Sequence, residues 1–316
     1  MALSTQRTYK VISLLLKATI LILSLWYIVY KLNGPESAHV FTNLEQANPL
    51  LLFIAFLLMF VNWGLEALKW MLLIMPLEKI TFYTALRSVF AGVTVSIFMP
   101  NRIGEFAGRI FFLEKADKVE ATLRNFIGSA AQLLMTILIG AWGILFAVKQ
   151  SGGYWGVLDA VNLTFIQIAL FVTGLLIVVL LFLNKARARF SARIQSYFKA
   201  LFDIRIKDLM TVFALSFIRY CIFLFQYYLV MKAFGVQDGF ISLAAVIAVA
   251  FLITSAVPSF ALTEVVTRGA VLTSLFSFSD PWAVIASSLV VWIINLGAPA
   301  LIGTAFIWKL KFFQKE

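Results

Sequence analysis

The sequence is poor in the residues that carry redox and metal chemistry: among 316 residues there is one cysteine, Cys221, and one histidine, His39. A single thiol excludes an internal disulfide framework, and one Cys with one His cannot supply the ligand spacing of a zinc site. Neither a metal nor a cofactor is expected. Charge is scarce as well, since Asp, Glu, Lys and Arg make up only 13% of the chain. No glycine-rich phosphate loop occurs, which argues against direct ATP coupling. Carboxylates are the scarcest charged groups, 15 against 26 Lys and Arg, leaving a formal net charge of +11. What is abundant is apolar: 62% of the residues are hydrophobic, in several runs reaching the roughly 20 residues that cross a bilayer. The composition reads as an all-α polytopic membrane protein.

Full spans are expected at Val11 to Tyr30, Pro49 to Met71, Asn125 to Val148, Val161 to Leu183, Leu209 to Met231 and Val284 to Trp308. The first is too long for a cleavable signal and ends in Trp26, Tyr27 and Tyr30, so it reads as a retained span. Two further apolar stretches are interrupted, Ile80 to Leu113 by "MPNRIGE" and Phe240 to Phe278 by "VPSFALTE". The return arm of the first, Glu105 to Leu113, reaches only about 14 Å as a helix against a hydrocarbon core of about 30 Å. It fits a re-entrant hairpin, giving six full spans plus two broken hairpins, with eight spans as the alternative.

Loop charge orients this arrangement. Arg7, Lys10, Lys79, Lys115, Lys118, Arg124, the seven basic residues from Lys185 to Lys207, and Lys309, Lys311 and Lys315 fall on one side, while Lys31, Lys149 and Lys232 fall on the other. Both termini are therefore expected in the cytoplasm, and the protein in a bacterial inner membrane. The chain then reads as one transmembrane domain, 1–316, built from two repeats of span, span, hairpin, span: residues 11–148 and, inverted, 161–308. Pro100 is followed by Glu105 and Arg109, as Pro258 is by Glu264 and Arg268. Inverted repeats with broken helices are a transporter architecture. The basic stretch 184–208 has Phe190, Ile194, Phe198 and Leu201 at helical spacing and reads as a cytoplasmic interfacial segment, or as a plain topology signal.

Ten charges fall inside the apolar segments: Lys17, Lys69, Arg87, Arg102, Arg109, Arg219 and Arg268 against Glu66, Glu105 and Glu264. Each would cost about 2.5–3.5 kcal/mol at the centre of a lipid-facing helix, so they cannot all face lipid. Lys17 and Arg87 can snorkel to the surface. Glu66 with Lys69, Glu105 with Arg109 and Glu264 with Arg268 stand one helical turn apart and can pair. Arg102 and Arg219 have no such local partner. Their guanidinium groups imply either an acid elsewhere in the bundle or an anionic ligand, and the planar fork suits phosphate.

The segment "PNRIGEFAGR" resembles the Pro-x-Arg-x-Gly-Glu-x-x-Arg signature of the flippase-like family, also called the lysylphosphatidylglycerol synthase transmembrane region, and "PSFALTEVVTRGA" is similar to its second proline-then-glutamate segment. Pro100, Arg102, Gly104, Glu105 and Arg109, then Pro258 and Glu264, match that pattern. Here the Arg follows Glu105 by four residues instead of three, and the glycine-rich approach to the second Glu is lacking. The resemblance implies movement of lipids between leaflets. Some relatives carry a fused aminoacyl-transferase domain, which is not expected in a chain ending at Glu316.

The expected function is thus a flippase-like transporter of an anionic phospholipid or lipid-linked headgroup. Arg102, Glu105, Arg109, Arg219, Glu264 and Arg268 are the candidate substrate-binding residues, with Pro100, Gly104 and Pro258 as structural hinges. A Pro-Gly interruption with a salt bridge is also compatible with a buried kink. No catalytic residue is assigned: an intramembrane transferase would use Glu105 or Glu264, yet neither has a second acid/base group beside it in sequence. A non-transporting partner subunit of a lipid or glycan synthesis enzyme is the other reading. The membrane is the expected environment, nucleic acid is not an expected partner, and the sequence does not indicate an oligomeric state.

Overall fold

Asn48 and Pro49 begin the first helix of the computed structural model, which describes residues 44–97, 99, 102–149, 204–256, 261–275 and 281–308. The Asn48 side chain accepts hydrogen bonds from the amides of Leu50 and Leu51, and Pro49 fills the first helical position, where no amide proton is needed. This helix, α1, runs Pro49–Ile74. It is followed by α2 (Phe82–Ser96), α3 (Gly104–Ile110) and α4 (Lys118–Lys149). The second half contains α5 (Ile206–Ala233), α6 (Phe240–Ala256), α7 (Ala261–Leu275), α8 (Pro281–Trp292), a π-helical turn (Ile293–Gly297) and α9 (Ala298–Trp308).

Among the described residues, four stretches are long and apolar enough to cross a membrane: Pro49–Ile74, Lys118–Ala147, Ile206–Ala233 and Trp282–Trp308. The protein is all-helical among the described residues and is an integral membrane protein. These stretches coincide with four expected spans, except that α4 begins at Lys118, seven residues before Asn125. There Asp117 accepts hydrogen bonds from the amides of Val119 and Glu120 and starts the helix early. The expected spans Val11 to Tyr30 and Val161 to Leu183, most of the basic segment 184–208, and the hinge residues Pro100 and Pro258 lie outside the described residues.

The first interrupted stretch folds back on itself, and glycine is what lets it. A Cβ on Gly104 would stand 2.6 Å from the Val95 carbonyl, and one on Gly108 only 2.4 Å from the Cα of Gly92. As the chain ascends α3 it descends α2, so the two are antiparallel and in backbone contact. The spacing Gly104-x-x-x-Gly108 is the small-residue pattern that permits such an approach within a membrane. Gly104, expected as a structural hinge, is thus a point of close packing against α2. The left-handed residue is Arg102, at φ 56°, a conformation costing a non-glycine residue about 1–2 kcal/mol.

The two ends of this hairpin are tied together. Glu78, between α1 and α2, accepts hydrogen bonds from three consecutive amides between α3 and α4: Glu114 (3.1 Å), Lys115 (2.8 Å) and Ala116 (2.9 Å). Partial burial opposes ionisation, but the three amides outweigh it and hold the carboxyl below its ordinary range. A carboxylate with a depressed pKa adds stability above its unfolded value, and that contribution is lost as the pH falls through the folded value. Glu78→Gln is accordingly expected to cost about 1 kcal/mol at neutral pH. Melting curves should show the gap between wild type and variant closing as the pH drops below about 4. A gap unchanged down to pH 3 would show that charge plays no part.

Between the halves, α1 and α5 run antiparallel. The Asn48 amide donates to the Ala233 carbonyl, Gln226 donates to the Ala55 carbonyl, and Arg219 donates to Asn62. Packing is reciprocal elsewhere. The last helix of the second half, α9, seats Gly303 against Phe90 of α2, while α4 seats Gly140 and Gly143 against Leu252 and Ala245 of α6. Each half's final span thus covers the other half's interrupted stretch.

Candidate functional site

On α1, Asn62, Glu66 and Lys69 fall at i, i+4 and i+7 and form a polar stripe on an otherwise apolar helix. The stripe faces inward, with all three residues buried. Glu66 is its centre. One carboxylate oxygen accepts from Arg109 at 2.8 Å, while the other meets Lys69 at 2.7 Å and Arg219 at 2.5 Å. The cations are held further by neutral or opposed groups: Arg109 donates to Asn125 (2.8 Å) and Glu105 (3.0 Å), Arg219 to Asn62 (2.7 Å), and Lys69 to the Gly128 carbonyl (3.2 Å). Arg219 also lies over the Trp63 ring at 4.9 Å. Three helices, α1, α3 and α5, meet at one carboxylate, and α4 joins them through Arg109 and Lys69.

A second carboxylate, Glu264 on α7, joins the two interrupted stretches. Arg102, from the break in the first, reaches across to it at 2.6 Å, while Arg268, one turn along α7, bonds its other oxygen. Arg268 also stacks over Phe251 of α6, 4.3 Å from the ring centre. Arg102 and Arg219, which have no partner in local sequence, thus both find acids on distant helices.

Beside this pair lies a cavity of about 220 Å³, whose charged lining is Arg102, Arg219, Arg268 and Glu264. Glu105 and Arg109 do not line it; they belong to the Glu66 cluster behind. Exposure separates the two groups. The Arg102 side chain is 36% exposed and that of Glu66 only 5%, so a guest meets Arg102 directly and the hub only through Arg219 and Asn62. Counting both clusters, five cations (Lys69, Arg102, Arg109, Arg219, Arg268) face three carboxylates (Glu66, Glu105, Glu264), an excess of two positive charges.

The rest of the wall mixes aromatic faces with amides. Trp63, Phe223, Phe251 and Trp292 line it, as do Asn62, Gln132 and Asn295. Several wall side chains hold buried polar atoms without a hydrogen-bond partner: Trp63 Nε1, Gln132 Oε1, Tyr220 Oη, Arg268 Nε and Asn295 Oδ1. Trp292, Asn295 and Leu296 reach the cavity from the junction with the π turn, a feature frequent at functional sites. Pro299 in an apolar run is the sequence signal for that irregularity, because it withholds an amide from the helical ladder. Asn62, four residues before Glu66, was legible as part of the polar stripe. Gln132, Tyr220 and Asn295 carry no comparable local signal.

Arg87 takes a different solution. Its guanidinium lies 5.4–5.6 Å from the ring centres of Tyr83, Phe112 and Phe306, an aromatic surround instead of a carboxylate. Among the described residues, no three His, Cys, Asp or Glu side chains converge as metal ligands.

Comparison with known proteins gives one result. The family described as Lysylphosphatidylglycerol synthase TM region matches residues 14–303, which takes in both interrupted stretches and every charged residue above. No curated protein matches the chain.

Proposed function

The chain belongs to the Lysylphosphatidylglycerol synthase TM region family, and from that premise and the cavity we propose that it moves an anionic, phosphate-bearing lipid between the leaflets of a bacterial inner membrane. The observation that carries the reading is the Arg102–Glu264 pair, which ties the two interrupted stretches together in the lining of a positively charged cavity. Broken helices that meet at a polar cavity offer a headgroup a path lined by protein instead of hydrocarbon. The antiparallel α1 and α5, with the reciprocal packing of α9 on α2 and α4 on α6, support an inverted repeat of six spans and two re-entrant hairpins. Loop charge supports cytoplasmic termini. Glu264 is engaged by two arginines and is a poor general base, which favours transport over transferase chemistry.

The test is a leaflet-exchange assay. Purified full chain in liposomes should accelerate the exchange of fluorescent phosphatidylglycerol. Arg102→Gln should slow it roughly tenfold, the worth of one lost charge-assisted hydrogen bond, with little change in melting temperature because Arg268 still holds Glu264. Folded protein that exchanges no lipid would leave the accessory-subunit reading instead.

A further inference from the structure

Arg87 on α2 is an arginine that the bundle leaves without an acid, and we propose that it holds the phosphate of a resident phospholipid, seated from the membrane in a groove between α2, the end of α3 and α9. This lipid stays in place and is not the one carried across. The groove is also separate from the cavity. Neither Arg87 nor the three rings around it line that cavity, so the site does not depend on the transport reading.

The arginines among the described residues differ in one respect. Arg102, Arg109, Arg124, Arg205, Arg219 and Arg268 each pair with a carboxylate, and Arg87 does not. Its Nε is buried without a hydrogen-bond partner. What surrounds the guanidinium is aromatic, with the ring centres of Tyr83, Phe112 and Phe306 at 5.5, 5.4 and 5.6 Å. Ring faces attract a cation but give five N–H donors no oxygen to bond. A charge held this way is costly unless an acceptor arrives from outside. Nη1 and Nη2 are not enclosed as Nε is, and Arg87 as a whole is only partly buried, so the fork is open at its tip.

Position decides which acceptor comes. The antiparallel approach that sets Gly108 against Gly92 carries on to bring Phe112 opposite Arg87. On the other side α9, seated by Gly303 on Phe90, delivers Phe306 less than a turn later. Arg87 stands five residues into α2, or about 7.5 Å along its axis. Lys79 and Lys115 belong to the same end of the bundle, because Glu78 accepts from the Lys115 amide, and loop charge gives that end to the cytoplasmic leaflet. Tyr83 itself, Phe111 beside Phe112 and Trp308 two residues beyond Phe306 are exposed, so the neighbourhood is apolar and faces outward. A guanidinium at headgroup depth beside such rings meets phosphodiester oxygens, which its planar fork binds two at a time. The acyl chains then lie along the exposed rings. A snorkelling arginine that met only water would show no preference for phospholipid.

The experiment uses the full chain, stripped of lipid in an uncharged detergent and read by native mass spectrometry and thermal shift. Arg102→Gln serves as the parent, since it weakens the cavity and isolates the groove. Three probes separate the sources of binding: phosphatidylglycerol, diacylglycerol with the same chains and no phosphate, and glycerol 3-phosphate with no chains. Phosphatidylglycerol should bind the parent and raise its melting temperature. Adding Arg87→Met should weaken that binding roughly tenfold and remove the rise. Diacylglycerol and glycerol 3-phosphate should each shift the parent far less. Equal binding of phosphatidylglycerol after Arg87→Met, or an equal shift by diacylglycerol, would overturn the site; an equal shift by glycerol 3-phosphate would overturn its lipid. The probe comparison on the parent decides even if Arg87→Met does not fold. Leaflet exchange is measured separately, so this inference and the transport reading can fail independently.

Discussion

Glu66→Gln is expected to leave little folded protein. The substitution keeps the side chain's size but removes the one negative charge shared by Lys69, Arg109 and Arg219, all within 2.8 Å of it. Breaking a buried pair costs about 3–5 kcal/mol because the surviving charge is stranded. Here three cations keep only Glu105 and neutral acceptors, so the loss approaches the whole of a typical folding stability of about 5–15 kcal/mol. Thermal unfolding and size-exclusion chromatography in detergent should show a collapsed melting temperature or an aggregated sample. Asp208→Asn, which breaks the Arg205–Asp208 pair on the protein's exposed surface, its arginine side chain 79% exposed, should cost less than about 1 kcal/mol. Lys69 is one of the three cations left stranded, so adding Lys69→Met to Glu66→Gln should recover part of the loss. A Glu66→Gln protein that melts within about 2 °C of wild type would show that the cluster does not hold the bundle together.

The second large effect is steric. A methyl at Gly108 would lie 2.4 Å from the Gly92 Cα, 2.7 Å from the Gly92 amide nitrogen and 2.9 Å from the carbonyl carbon of Ala91. All three neighbours are backbone, so no rotamer change can relieve the clash; α2 and α3 must part by about 1 Å along that line. Overpacking of this kind costs about 1–3 kcal/mol or more. It also pulls Arg109, the next residue, away from Glu66. Gly108→Ala should therefore lower the melting temperature well beyond a local effect. Gly64→Ala is the matched control: its Cβ would meet only the ring tip of Phe82, at 3.9 Å, and alanine is favoured over glycine within a helix by about 1 kcal/mol. It should be neutral or stabilising. If both substitutions behave alike, backbone contact between the arms is not what holds the hairpin.

How far the sequence could be read follows from the range of each signal. An apolar run is a local property, and the four long helices lie where the runs are. Ion pairs one turn apart are equally local, so Glu66–Lys69, Glu105–Arg109 and Glu264–Arg268 could be written down from spacing. Pairing across the bundle could not. Arg219 and Glu66 are 153 residues apart and Arg102 and Glu264 are 162 apart; spacing shows that each arginine needs an acid or an anion without saying which. Charge also left open the depth at which residues sit, so Arg109 read as a headgroup contact although it lies in the hub behind the cavity. The glycines failed for another reason. Gly104, four residues after Pro100, suggests a hinge, but its spacing from Gly108 is a packing signal, and a left-handed backbone is found at Arg102, whose side chain type gives no hint of it.

The π turn between α8 and α9 sets the phase of the last span. A helix turns about 100° per residue, and a π turn absorbs one residue more than an α turn, so it rotates everything after it by about that angle relative to everything before. Before it, Ser288 meets the Tyr227 hydroxyl at 2.7 Å on α5; after it, Gly303 lies against the Phe90 carbonyl on α2. An uninterrupted α-helix of the same sequence would satisfy one of these neighbours and turn away from the other. The extra residue thus works like a clutch plate. It lets a single span engage one half of the molecule with its first segment and the other half with its second, and it places Asn295 at the slip point, beside the cavity.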